Sequence, residues 1–455
     1  ARRPRPARNP GEFDERRFLS ERSVAWILRA SRVERLNTPA PPRLWLRRAA
    51  ETLRWSIEDA YRARLKSDHA RLLAGLTLGY KGALSRELNS DAQDAGVMHL
   101  LVPSGAKVAF VIALFLWAGS VLNLPAWARA VATALGAGFY AVMVGGEAPY
   151  ARAYLAWLAF EAGRLSGRES GAFQAVVLSA LLVLAWEPRE LFSAGFQMTY
   201  AAMAALLVAM PTVNAALRRR RPLVRRLAGV FAVTAIVQAA LWPTFAQTFG
   251  KGSAVGLAAN LLLVPVSAPL SGAGFSLWGL ERAGWEPGVA ALARACAAAL
   301  ELFAQVCARF ADAPGAAIAL SPMRALEILS FYCALFAVLV WPRRKASALL
   351  AAAALLLGAG DAAARALRTP PLRVLYLHTD RRPGAPVAAL ATYKGKHRLW
   401  LSSGRAAPIR EAMRVYRIDG FERVFVSSAR AAAAARKLGV PDAKIAMGPL
   451  PALEL

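Results

Sequence analysis

The sequence is poor in the residues that most site chemistry needs. It has three cysteines and four histidines in 455 residues. Cys296, Cys307 and Cys333 lie in apolar stretches, with neither a metal-ligand spacing nor a disulfide framework, so they read as small core residues. His378 and His397 stand alone, without the close His/Asp spacing of a two-metal hydrolase. No G-x-x-x-x-G-K-[ST] occurs. "FGKGS" (Phe249–Ser253) lacks the spacing and the Lys-Ser step, so a motor with that phosphate loop is excluded. No catalytic residue, metal or cofactor is expected. Acidic residues are also scarce, 29 against 57 Lys and Arg, for a net charge of +28. An anionic polymer or an anionic lipid is the simplest counterpart to so basic a surface.

What the chain has is long apolar runs. Hydrophobic residues make up 56% of it and the mean hydropathy is +0.35. The runs are roughly 18 to 25 residues long, enough to cross ~30 Å of hydrocarbon as helices. Expected spans are Val102–Asn123, Ala126–Val144, Tyr150–Leu165, Ala172–Trp186, Leu191–Val213, Leu227–Phe249, Val255–Leu280, Val289–Phe310, Met323–Trp341 and Ala348–Leu367. Val255–Leu280 contains two prolines and is expected to be broken; Val289–Phe310 could instead lie on the membrane surface. The fold class is a polytopic α-helical membrane protein of about 9–10 spans, some broken or re-entrant, with a small C-terminal α/β domain.

Short basic loops set the orientation. "RRRRPLVRR" (Arg218–Arg226) and "WPRRK" (Trp341–Lys345) belong on the cytoplasmic side. Counting spans puts Glu187–Glu190 and Gly145–Gly146 outside, and both termini outside too. Trp117, Trp127, Trp186, Trp242 and Trp341 sit at helix ends, where a lipid-interface belt places them.

Three regions follow. Residues 1–95 form a basic amphipathic N-terminal region on the outer side. Within it, Pro42–Leu65 repeats Leu46, Leu53, Ile57 and Tyr61 at helical spacing, as an interfacial helix or one packed on a neighbour. Residues 96–368 form the membrane core. Pro370–Pro371 then marks a boundary, and residues 369–455 alternate as strand, strand, strand, helix, strand, helix, strand. The chain starts without Met and shows no signal peptide, so it is expected to be part of a longer protein.

Polar residues inside apolar runs are costly and usually face a cavity or each other. "HLLVPSGAKV" (His99–Val108) is such a place. Pro103 and Gly105 disfavour a lipid-facing helix, Ser104 suits an N-cap, and Lys107 adds a positive charge one turn in. The stretch reads as an anion-attracting re-entrant mouth, or as a kinked helix with a snorkelling lysine. "GFQMTY" sets Gln197, Thr199 and Tyr200 in the middle of an expected span, and "AANLLLVPVSAP" adds Asn260 and Pro265. Glu147 reads as an interfacial cap; Arg152, one turn further, either snorkels or lines a cavity.

"HLLVPSGAKV" resembles the "HLLAISGLHV" signature of ComEC-type competence proteins, inner-membrane channels for single-stranded DNA in natural transformation. "RNPGEFDERRFLSERSVAW" (Arg8–Trp26), "LTLGYKGALSREL…AGVMHLL" (Leu76–Leu101), "EPRELFSAGFQMTYAAMAAL" (Glu187–Leu206) and "GKGSAVGLAANLLLVPVSAPL" (Gly250–Leu270) are similar to other family segments, in the same order. The resemblance implies an outer oligonucleotide-binding-like domain, a competence membrane domain and an outer metallo-β-lactamase-like domain. This chain begins after the first of these. Its tail matches the third loosely: "LRVLYLHTDRRPGAP" (Leu372–Pro386) stands at its start, and the "HxHxDH" metal motif is missing. Lys107 replaces the second signature histidine, Pro103 an apolar residue and Ala106 a leucine.

The resemblance implies a conduit for single-stranded DNA in the bacterial inner membrane, not an enzyme. Its path would run past His99, Ser104, Gly105, Lys107, Arg152, Gln197, Thr199, Asn260 and Pro265. Implied partners are single-stranded DNA, the lipid bilayer, a cytoplasmic ATPase or helicase, DNA-binding proteins of the competence machinery and an outer DNA receptor. Two other readings stay open. One is a permease for a smaller anion on the same scaffold, and the other is a degenerate relative without activity.

Overall fold

The computed structural model describes residues 3–4, 6–7, 15–20, 24–28, 44–79, 84–167, 171–339, 344–368, 372–378, 387–393, 396–402 and 406–447. Trp341, Pro370–Pro371 and most of Arg8–Trp26 lie outside them. In chain order the helices are α1 (Glu15–Ser20), α2 (Trp45–Arg64), α3 (Ser67–Leu78), α4 (Arg86–Asp94), α5 (Gly105–Val121), α6 (Ala126–Met143), α7 (Ala148–Leu165) and α8 (Ala172–Trp186). Then come α9 (Ala194–Leu217), α10 (Pro222–Thr248), α11 (Gly256–Arg282), α12 (Glu286–Ala311), α13 (Ala325–Leu339) and α14 (Arg344–Arg368). Two-residue strands β1 (Lys251–Gly252) and β2 (Ile318–Ala319) flank α11 and α12. The tail holds β3 (Leu372–His378), β4 (Val387–Tyr393), β5 (Lys396–Leu401), α15 (Ala406–Tyr416), β6 (Arg423–Val426), α16 (Ala429–Arg436) and β7 (Ile445–Met447). The protein is a polytopic α-helical membrane protein. Among the described residues α9, α10, α11, α12 and the first 20 residues of α14 are long and apolar enough to cross a bilayer, and α5, α8 and α13 are shorter apolar helices.

The chain divides into two compact units. One is Asn37–Ile318 with Leu335–Ala348; the other gathers Ala1–Leu36, Ala319–Ala334 and Leu349–Leu455. In the first, α2 and α3 share one buried core with α5, α6, α7, α11 and α12, through residues such as Ile57, Tyr61, Leu72, Tyr140, Leu277 and Phe303. The amphipathic stretch seen at Pro42–Leu65 thus packs on neighbours, with Ile57, Ala60 and Tyr61 buried. Alpha-helix α12 turns Val289, Ala293, Cys296, Leu300, Phe303 and Cys307 inward along one stripe.

Helix α3 is short and ends inside this core. Three of the carbonyls that helix geometry leaves free at a C-terminus accept side-chain hydroxyls here. Tyr140 Oη donates to Thr77 O at 2.7 Å, Tyr150 Oη to Leu78 O at 3.1 Å, and Ser271 Oγ to Leu76 O at 3.2 Å. Gly79 follows at φ 72, and a Cβ there would collide with the Tyr150 hydroxyl and crowd Pro103. Only glycine meets both demands.

Two sequence expectations are corrected. Helix α11 is not broken: it runs unbroken through Pro265 and Pro269. Proline removes a donor without ending a helix whose other turns are packed, and here Leu263, Leu270, Gly274 and Leu277 are buried. Gln197, Thr199 and Tyr200 occupy the first two turns of α9 and not its middle, because Ser193 caps the helix by accepting from Phe196 N at 3.1 Å.

In the second unit β3–β7 form one sheet in sequence order, antiparallel from β3 to β5 and parallel from β5 to β7. The order of strands and helices matches the alternation read in the tail. Leu377, Leu390, Leu399, Leu401, Val424 and Val426 bury one face against α15 and α16, through Ile409, Ala412 and Ala431. Trp400 and Phe425 stack on the other face, with centroids 5.4 Å apart. Lys396 and Arg398 bond Glu422 and hold its carboxyl below the usual carboxylate range.

Candidate functional site

The stretch His99–Val108 forms a 3-10 turn at Met98–Leu100, a non-helical link and the start of α5. His99 is exposed on that turn. Ser104 takes the N-cap position with an extended backbone, yet its side chain makes no capping bond, unlike the expectation. Lys107 is buried at 7% exposure, and its Nζ donates to Leu100 O and Val102 O, both at 2.7 Å. Its charge is therefore turned back on the turn, which it ties to the first turn of α5. Gly105 lets α5 approach α7: a Cβ on it would lie 3.1 Å from Ala153 Cβ.

One turn into α7, Arg152 is 2% exposed. Its Nη1 donates to Glu190 Oε2 at 3.1 Å and its Nε to Thr199 Oγ1 at 3.1 Å. Glu190 sits on the 3-10 turn Pro188–Phe192 and also accepts from Ser193 Oγ at 3.0 Å. Thr199 Oγ1 in turn donates to Gly195 O. Arg152 and Thr199, both named from sequence, thus meet directly. Glu190, the partner that makes the burial of Arg152 affordable, was read only as part of an outer turn; its signal was a carboxylate beside an apolar run. Gln197 is exposed, and its Nε2 donates to Leu191 O at 3.2 Å.

On α11, Asn260 is 7% exposed and its Oδ1 has no partner among the described residues. It lies one turn beyond Gly256, which is packed near Ser253 and Ala95 O. Ser253, 9% exposed, also has an unpartnered Oγ, and its carbonyl accepts from Gln238 Nε2 at 2.6 Å. Pro265 lies five residues further along α11.

These contacts gather four helix starts at one end of the unit. The start of α5 touches that of α7 at Gly105, α7 meets α9 at Arg152, and the Gly96 turn ahead of His99 packs on Ser253 and Gly256 at the start of α11. Lys251 binds Asp94 there at 3.3 Å. Of the four, α9 is capped by Ser193, whereas α5, α7 and α11 have no side-chain cap. The dipole ends of α5 and α11 are thus left without a side-chain acceptor, whereas α7 starts on the exposed Glu147 and on Pro149, which has no N–H. Among the described residues no group of three His, Cys, Asp or Glu could hold a metal ion.

A family model described as "Competence protein" matches residues 76–345. ComE operon protein 3 of Bacillus subtilis (strain 168) is 24% identical over 262 residues, 58% of this chain and 32% of that protein. The Uncharacterized protein YcaI of Escherichia coli (strain K12) is 23% identical over 202 residues, 43% of this chain and 27% of that protein. The chain thus spans under a third of the length of either relative in the matched region. No solved structure matches.

Proposed function

Because this chain belongs to the competence protein family, we propose that it takes part in DNA uptake, as a passive membrane conduit for one DNA strand. The observation that carries this reading is the meeting of four helix starts, three of them uncapped, around the exposed His99 turn. A strand of phosphates presents oxygens to such donors at regular intervals. Each helix end offers about 0.3–1 kcal/mol to an anion at a wet surface, which holds a phosphate without trapping it. Weak, repeated contacts are what passage requires.

The residues divide the work. Gly105 lets α5 and α7 close together, and Lys107 fixes the turn that displays His99. Arg152, Glu190 and Thr199 tie α7 to α9, so the helix starts hold their arrangement. Gln197 is the exposed amide beside them. Asn260 and Ser253 supply the buried unpaired oxygens at the start of α11. No step here is catalytic, and no energy source is built in. Inward movement therefore needs a cytoplasmic ATPase or DNA-binding protein to draw the strand, and an outer receptor to deliver it. The bacterial inner membrane is the compartment this implies, with both termini outside.

The test is uptake of labelled DNA into a nuclease-protected pool, in cells lacking the gene and complemented with variants. Ser104→Asp would keep a residue suited to the N-cap of α5 while placing a carboxylate at the mouth. The expected outcome is unchanged or raised thermal stability with reduced uptake. Uptake at the wild-type level would remove this end of the molecule from the path. A smaller anion as cargo would show as binding that depends little on salt, whereas DNA binding falls steeply with it.

A further inference from the structure

The charge of the α9–α10 hairpin cannot be neutralised from within. No Asp or Glu occurs between Glu190 and Glu281. Six arginines nevertheless crowd its turn: Arg218, Arg219, Arg220, Arg221, Arg225 and Arg226. All six are exposed, and among the described residues none of their guanidinium groups has a carboxylate or hydrogen-bond partner. Elsewhere in the same unit several basic side chains find acids. Arg54 and Arg62 bind Glu58, Arg64 binds Glu281 and Glu286, Arg152 binds Glu190, and Lys251 binds Asp94. The hairpin gathers six arginines on a stretch without a carboxylate, so its counter-charge comes from another molecule.

The neighbouring residues say which kind. Leu223, Val224 and Leu227 are 68%, 48% and 50% exposed, and they alternate with Arg225 and Arg226 along the first turns of α10. Exposed aliphatic side chains interleaved with arginines suit the boundary between acyl chains and headgroups, where the apolar part inserts and the guanidinium stays at the phosphate. A nucleic acid has no use for those aliphatic groups, and its bases want aromatic faces. The segment from Thr212 to Val230 has none. Both α9 and α10 are long and apolar enough to cross a bilayer, so their shared turn lies at the headgroup level. Guanidinium groups also match phosphate by paired hydrogen bonds.

We infer that Arg218–Arg226 is a binding surface for anionic phospholipid headgroups, which supply the carboxylate-free hairpin with its counter-charge. The surface is independent of what passes through the protein.

The full chain purified in a neutral detergent would be mixed with phosphatidylglycerol or phosphatidylcholine, and retained lipid counted by native mass spectrometry. Wild type should retain phosphatidylglycerol in preference. Arg218→Gln, Arg219→Gln, Arg220→Gln and Arg221→Gln together should lower that retention at least ~tenfold, since each basic residue near an anionic surface adds to the attraction. The same four changed to Lys should keep most of it. Because the Gln variant could misfold, the pair Arg225→Gln and Arg226→Gln is measured alongside; it should show a smaller loss in the same direction. Equal retention of the two lipids by wild type would overturn the inference. So would Gln variants that hold phosphatidylglycerol as wild type does, or a loop that binds a single-stranded oligonucleotide with no lipid preference.

Discussion

Arg152 carries a charge that its own helix does not neutralise, in a position where water reaches only 2% of it. Burying a guanidinium alone is costly, so the pair with Glu190 decides whether the site holds together. Glu190→Gln keeps one acceptor but removes the charge, and Arg152→Leu removes the cation while leaving Glu190 27% exposed to water. Deleting one partner of a buried pair costs ~3–5 kcal/mol; the lower end applies here because solvent reaches Glu190. Glu190→Gln should therefore lower the thermal midpoint in detergent more than Arg152→Leu does. The double variant Arg152→Leu with Glu190→Leu should lose less than the two single losses summed, and strict additivity would show that the pair is not coupled. Sequence alone marked Arg152 as an expensive residue but could not find its partner, which arrives from a turn 38 residues later. Lys107 was harder still. Its partners are backbone carbonyls, and those leave no trace in residue identity.

At the scale of elements, what could be read was what repeats along the chain. The run Ala172–Trp186 is α8 residue for residue, and the tail's alternation gave its strands and helices in order. Helix α3 could not be read this way. Its 12 residues are too few for a span and begin with Ser67, Asp68 and His69, so nothing in them announces a buried helix. Its anchors lie far off in sequence: Tyr140 is 63 residues from Thr77, Tyr150 is 72 from Leu78, and Ser271 is 195 from Leu76. Those three hydroxyls cap a helix end that no water reaches, and each unmet carbonyl there costs roughly 1–3 kcal/mol. Tyr140→Phe and Tyr150→Phe keep the rings, and with them the edge-on contact at 6.0 Å, so they remove little but the bonds. Combined with Ser271→Ala, they should release amide hydrogens of Leu72–Leu78 to exchange well before those of α11. Protection of α3 equal to wild type would mean that packing alone seats the helix.

The whole molecule separates two kinds of positive charge. At one end of the first unit the positive character is in helix starts, with Arg152 and Lys251 each matched to a carboxylate. At the far end of α9, 24 residues or about 36 Å along its axis, it is in six unmatched arginines. Arginines and lysines in short loops set the sidedness of a membrane chain, and acidic residues contribute little to it. The arginine hairpin should therefore face the cytoplasm, and the helix starts should face outward. Arg189→Cys marks the end with the helix starts, on the exposed turn before α9, and Arg220→Cys marks the arginine hairpin. The native cysteines interfere little, since Cys296 and Cys307 are buried and Cys333 is half-buried. In intact inner-membrane vesicles of known orientation, a charged thiol reagent should label the two positions from opposite faces, Arg220→Cys from the cytoplasmic one. Labelling of both from one face would deny that α9 crosses, and with it the separation of mouth and hairpin. Opposite faces with the sides exchanged would keep the crossing but put the helix starts in the cytoplasm, where incoming DNA leaves the conduit and does not enter it.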